Sequence, residues 1–145
     1  MIDIEDFQAH LSTLKKAKWA KLFELLPHIE SSAEFGKVEG GEVLNHGSIK
    51  TPYWTYSDLV RETVRIIHDL QITPIFDWPK WEEGHAMLED RAFDYSALDT
   101  TTLCKLLTTI IRTDRFNDGF LVLSFQSGTM AKIIRALQEN VSSGK

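Results

Sequence analysis

The chain has 145 residues, 43% of them hydrophobic and 26% charged, and its 16 Lys and Arg stand against 21 Asp and Glu. That acidic balance argues against nucleic acid held by phosphate neutralisation. The single cysteine, Cys104, excludes an intramolecular disulfide framework and the four-cysteine zinc sites, and it suits a reducing compartment. No apolar stretch reaches the roughly 18–20 residues that a bilayer span needs, so no membrane partner is expected. The acidic start from Met1 to Asp6 is the opposite of a signal peptide's basic n-region. The expectation is one cytoplasmic domain over residues 1–145, large enough to bury roughly 68–70% of its unfolded surface without a structural metal or cofactor.

Along the first segment Ile4, Phe7, Leu11, Leu14, Leu22, Phe23 and Leu26 recur near helical spacing, with Asp3 as N-cap and Pro27 as a stop. This predicts one long helix or two short ones. Lys15, Lys16, Lys18 and Lys21 surround Trp19, but at about 100° per residue they spread over a broad arc, the pattern of a solvated face. Between Pro27 and Tyr56 the glycines 36, 40, 41 and 47 punctuate short apolar pieces. The Gly40-Gly41 pair between Phe35–Val38 and Val43-Leu44 predicts a small hairpin or an irregular Gly-rich loop. Its spacing matches neither GxGxxG nor GxxxxGK[ST], so a phosphate cradle is not indicated.

A helix is predicted from an N-cap at Ser57 to about Leu70, with Val60, Val64 and Ile67 inward and an Arg65–Asp69 pair on its outer face. Ile72 to Asp77 reads as an extended link. Pro79 suits the first position of a third helix carrying Trp81, His85 and Leu88. Asp99 caps a fourth, with a wide stripe of Leu103, Leu106, Leu107, Ile110 and Ile111, expected to end near Phe116. The run from Phe120 to Phe125 is favoured as helix ending before Gly128, and a last helix carries Met130, Ile133, Ile134 and Leu137. The fold class is therefore mostly α, a bundle of five to six helices with a hairpin or loop after the first helical segment. Residues 61–100 hold 9 acids and 4 bases and residues 101–145 hold 3 acids and 6 bases, which suggests that the two parts face each other.

Metal ligation has only Glu82-x-x-His85 and Glu24-x-x-x-His28 to offer, one short motif each, so no metal site is assigned. Cys104 lies mid-helix beside the apolar stripe and reads as a packed thiol. Ser127 lacks the first glycine of a GxSxG elbow and reads as a cap of the last helix. Two polar-aromatic blocks remain. In Phe76-Asp77-Trp78-Pro79-Lys80-Trp81 an acid sits among three large rings at a helix entry. Either Asp77 accepts helix N-terminal N–H bonds while the rings pack, or the tryptophans form a platform for a flat ligand that Asp77 helps to hold. In Arg112-Thr113-Asp114-Arg115-Phe116-Asn117-Asp118-Gly119 the two arginines project from one helical turn. Either they clamp a carboxylate or phosphate, or Asp114 and Asp118 neutralise them.

These two blocks, together with Gly40-Gly41, Pro52-Tyr53-Trp54-Thr55-Tyr56-Ser57 and Ser127-Gly128, resemble a family of small bacterial proteins known only as a domain of unknown function. The resemblance covers roughly the last three-quarters of the chain and leaves the first helix outside. It implies a helical domain and points to the same blocks, but it supplies no reaction, cofactor or catalytic residue. The leading expectation is a ligand-binding or accessory module whose site draws on Tyr53, Tyr56, Asp77, Trp78, Trp81, Arg112, Arg115 and Asp118 and takes a small anionic ligand. The alternative is a metal-independent enzyme for a phosphorylated or nucleotide-like substrate, with Arg112 and Arg115 as clamp and Asp77 or Asp118 as general base. A third reading is a structural domain that meets a second copy or a protein partner. Convergence of the two blocks, and the pairing of the arginines, discriminate among the three.

Overall fold

The computed structural model describes residues 1–144. Among them eight helices and one two-stranded sheet follow in the order α1 (Ile4–Thr13), α2 (Lys16–Phe23), α3 (Leu26–Ser31), β1 (Gly36–Glu39), β2 (Tyr53–Tyr56), α4 (Asp58–Leu70), α5 (Glu82–Glu89), α6 (Thr100–Thr113), α7 (Phe120–Gln126) and α8 (Thr129–Ser142). The protein is mostly helical with a small antiparallel hairpin, as expected; the expected five to six helices become eight because the first segment divides in three. Leu14 and Lys15 take extended backbone and separate α1 from α2. Pro27, expected to stop a helix, instead lies in the first turn of α3, where its missing N–H leaves no hydrogen bond unmade. Asp3 stands at the N-cap of α1 without a side-chain cap bond, and its segment forms a parallel bridge to Ile75.

The buried side chains form one contiguous cluster. Its axis is α8, which buries Met130, Ile133, Ile134 and Leu137 and packs on α2, α3, α6 and α7. Opposite them lie Leu103, Leu106, Leu107 and Ile110 of α6, each side chain contributing about 1.5–3 kcal/mol by burial. Cys104 sits fully within this cluster, and burial pushes its thiol well above the ordinary range. Two of the expected caps form: Ser57 Oγ accepts the Val60 N–H at 3.3 Å and Asp99 Oδ1 accepts the Thr102 N–H at 2.7 Å. The run from Phe120 is helical, and Gly128 follows it at φ 86°.

Three expectations are corrected. The hairpin does not turn at Gly40-Gly41 and its second strand is not Val43-Leu44: Gly36 pairs with Tyr56 and Glu39 with Tyr53. Trp54 and Tyr56 pack on the helical core while Val43 stays exposed, and that burial selects the partner strand. Residues 40–52 extend the arm through a Val43–Ile49 bridge, and the chain reverses between Leu44 and Gly47. Second, Pro79 lies in a separate 3-10 turn, Trp78–Lys80, and α5 starts only at Glu82; the Asp77 carboxylate makes no cap bond there. Third, α6 ends at Thr113, where the ladder tightens to bonds three residues back, from the Arg115 N–H to the Arg112 carbonyl at 3.2 Å and from the Phe116 N–H to the Thr113 carbonyl at 2.9 Å. Residues 61–100 and 101–145 do face each other, as expected, since α5 packs on α6, but none of the ion pairs among the described residues joins them. Where α5 meets α6, Lys105 instead places its ammonium 4.3 Å from the Trp81 ring centroid and 4.9 Å from that of Phe76.

Candidate functional site

The C-terminal end of α6 brings the two polar-aromatic blocks together. Trp78, Pro79 and His85 face Arg112, Thr113, Arg115 and Phe116 across a cleft of about 720 Å³. The Trp78 and Phe116 rings lie 6.2 Å apart between centroids at 33°, and the His85 ring is 6.4 Å from Trp78 at 54°. Phe116 is 82% exposed, an unusual position for so large an apolar side chain. His85 Nε2 lies 3.0 Å from the Trp78 carbonyl. A carbonyl only accepts, so Nε2 carries a proton and the ring braces the aromatic wall.

No carboxylate among the described residues pairs with Arg112 or Arg115. Arg112 Nη2 touches only the Met1 thioether sulfur, at 3.0 Å, which is a weak acceptor. Beside them the Thr113 hydroxyl is buried and makes no hydrogen bond. The cleft thus combines two guanidinium groups that have no carboxylate partner among the described residues with an apolar wall.

The acids of the second block point the other way. Asp114 Oδ2 accepts the Tyr56 hydroxyl, and its Oδ1 accepts the Leu121 N–H at 3.0 Å. Leu121 is in the first turn of α7, so Asp114 supplies the capping oxygen that the N-cap residue Gly119 cannot. Burial, and then the bond to Asp114, hold the Tyr56 phenol well above its usual range, so it stays a donor. Asp118 Oδ2 accepts the Trp54 N–H at 3.1 Å. The Trp54 indole lies on Gly119, where a Cβ would stand 2.5 Å from Cε2. Both acids therefore fasten the hairpin to the corner between α6 and α7.

Of the eight residues expected at the site, Trp78, Arg112 and Arg115 line the cleft. Tyr56 and Asp118 belong to the hairpin clasp, and Tyr53 extends its hydroxyl to Glu39 at 3.3 Å on the exposed sheet face. Asp77 is exposed, 3.9 Å from Lys80. Trp81 turns away onto Gly84, where a Cβ would overlap the ring, and onto Lys105. Pro79, His85, Thr113 and Phe116 also line the cleft and were not among the expected site residues. Phe116 carries a legible signal, because it falls outside the apolar stripe of α6 and has no core position to occupy. Among the described residues, no three His, Cys, Asp or Glu side chains gather as a metal site, Glu82 and His85 included.

Neither the curated proteins nor the solved structures contain a match to the chain. The sequence model of a family of unknown function (DUF6508) matches residues 14–143, which take in the whole cleft and, beyond the expected three-quarters, α2 and α3 as well. With α1 outside the match and both blocks inside it, the chain belongs to this family of unknown function.

Proposed function

We propose that the protein is a binding module that takes a small, flat anionic molecule in the cleft between Trp78, Phe116 and the two arginines. One observation carries the reading: among the described residues Arg112 and Arg115 have no carboxylate partner, although Asp114 and Asp118 lie within a few residues of them in sequence. Guanidinium forks recognise carboxylate or phosphate, with charge-assisted hydrogen bonds contributing about 1.5–3 kcal/mol each. An exposed ring beside them supplies stacking area at a further ~0.5–1.5 kcal/mol. The contiguous core supports one domain, and the buried, reduced Cys104 suits a cytoplasmic setting.

An enzyme that acts through Asp77 or Asp118 is the less favoured reading. No carboxylate lines the cleft: Asp118 is engaged by the Trp54 N–H and Asp77 is exposed beside Lys80. The test is a thermal-shift screen of nucleotides, sugar phosphates and aromatic carboxylates on the wild type, Arg112→Ala and Trp81→Ala. At least one class is expected to raise the melting temperature of the wild type and of Trp81→Ala. Arg112→Ala is expected to lose that rise with little loss of its own stability. A screen in which no anion stabilises the wild type refutes the proposal.

A further inference from the structure

Resting on the reading of the cleft as an anion site, we infer that its ligand is an aromatic monocarboxylate and not a phosphate ester. The electrostatics of the corner distinguish the two. Residues 112–118 carry two arginines and two aspartates, so the block has no net charge before any ligand arrives, even though the aspartates bond the hairpin and α7 and not the arginines. It also lies at the C-terminal end of α6, where the helix dipole places roughly half a negative charge. A phosphate monoester carries about −1.5 to −2 at neutral pH and meets that background with twice the charge of a carboxylate.

The donor set points the same way. Phosphate sites are commonly built on helix N-terminal N–H groups, which suit a group with several oxygens. Here the Leu121 N–H of α7 is already taken by Asp114, and Glu82 and Glu83, which open α5, do not line the cleft. What remains on the lining as donors to an anion are the two guanidinium forks, each of which can meet both oxygens of one carboxylate. Trp78, Pro79 and Phe116 offer ring and methylene surface. A sugar phosphate would lay several hydroxyls against that wall with no partners, whereas an aromatic ring would stack.

Calorimetric titration of the full chain with naphthoate, naphthyl phosphate and naphthalenemethanol holds the ring constant and varies only the head group. Naphthoate is expected to bind about tenfold or more tightly than either of the others, a difference of about 1.4 kcal/mol. Arg112→Ala and Arg115→Ala are each expected to weaken naphthoate several-fold. Naphthyl phosphate binding as tightly as naphthoate overturns the carboxylate assignment while the anion cleft stands. If none of the three probes binds, or the neutral alcohol binds as well as both anions, the assignment and the anion cleft fall together.

Discussion

Gly119 and Gly128 form a matched pair that isolates one packing contact. Their backbones are nearly identical, φ 90° and ψ −6° against φ 86° and ψ −4°. Alanine at either place therefore meets the same left-handed strain, about 1–2 kcal/mol. The surroundings differ. A Cβ at Gly128 meets nothing within 4 Å, whereas at Gly119 it would stand 2.5 Å from Cε2 and 2.6 Å from Cδ1 of Trp54. The indole must move, and it carries with it the strand whose N–H donates to Asp118. Overpacking of this kind adds about 1–3 kcal/mol. Gly119→Ala should therefore cost about 2–5 kcal/mol and Gly128→Ala about 1–2 kcal/mol. Urea unfolding followed by circular dichroism measures both, and melting temperatures should differ by roughly 3–12 °C at about 3–4 °C per kcal/mol. In a Trp54→Ala background the two substitutions should cost the same to within about 0.5 kcal/mol. Equal losses in the wild type, or a gap that persists without the indole, refute the reasoning.

Three further outcomes follow from named contacts. Cys104 should react with a thiol reagent far more slowly in the native state than in urea, since the thiol is buried and its ionisation suppressed; equal rates would place it outside the core. Burial and the bond to Asp114 raise the Tyr56 phenol, so the folded state keeps a proton that the unfolded chain releases above about pH 10. Stability is then fully present below that pH and falls as pH rises beyond it, and Tyr56→Phe should flatten the decline in urea melts; an unchanged slope counts against the clasp. Lys105→Met keeps the stem but removes the charge held over Phe76 and Trp81, and should cost about 0.5–2 kcal/mol in the same melts, with Lys105→Arg retaining most of it.

The helices were most legible where a dense apolar stripe coincides with a cap, as in Ser57 with α4 and Asp99 with α6. Local pattern and core agree there. The hairpin was not legible, because both Val43-Leu44 and Tyr53–Tyr56 favour extended backbone and only the burial of Trp54 and Tyr56 decides between them. In the site, the placement of both blocks at helix ends was enough to suggest that Trp78 and Arg112 could meet. The partners of Asp114 and Asp118 were not accessible in the same way. The arginines nearest in sequence compete with hairpin groups about sixty residues away, and sequence proximity misleads. Trp81 has a local sign in Gly84, three residues on, which leaves a flat bed for the ring on α5 and draws it out of the cleft.

Which partner wins each acid is a question of magnitude. An exposed Arg–Asp pair in this corner would contribute about 0–1 kcal/mol and would immobilise a long side chain. The alternative partners are fixed: the Leu121 and Trp54 N–H groups belong to ordered backbone, and the Tyr56 ring is already half-buried. Charge-assisted hydrogen bonds to such donors contribute about 1.5–3 kcal/mol and add little ordering cost. They also satisfy an N–H of α7 that would otherwise lack a partner at the glycine N-cap. The acids therefore go to the hairpin. The guanidiniums are left beside Trp78 and Phe116 with only the Met1 sulfur as a competitor, so an incoming carboxylate need not break an existing ion pair to bind. One eight-residue block thus does two opposed tasks: its carboxylates hold the fold, and because they do, its arginines stay available at the surface.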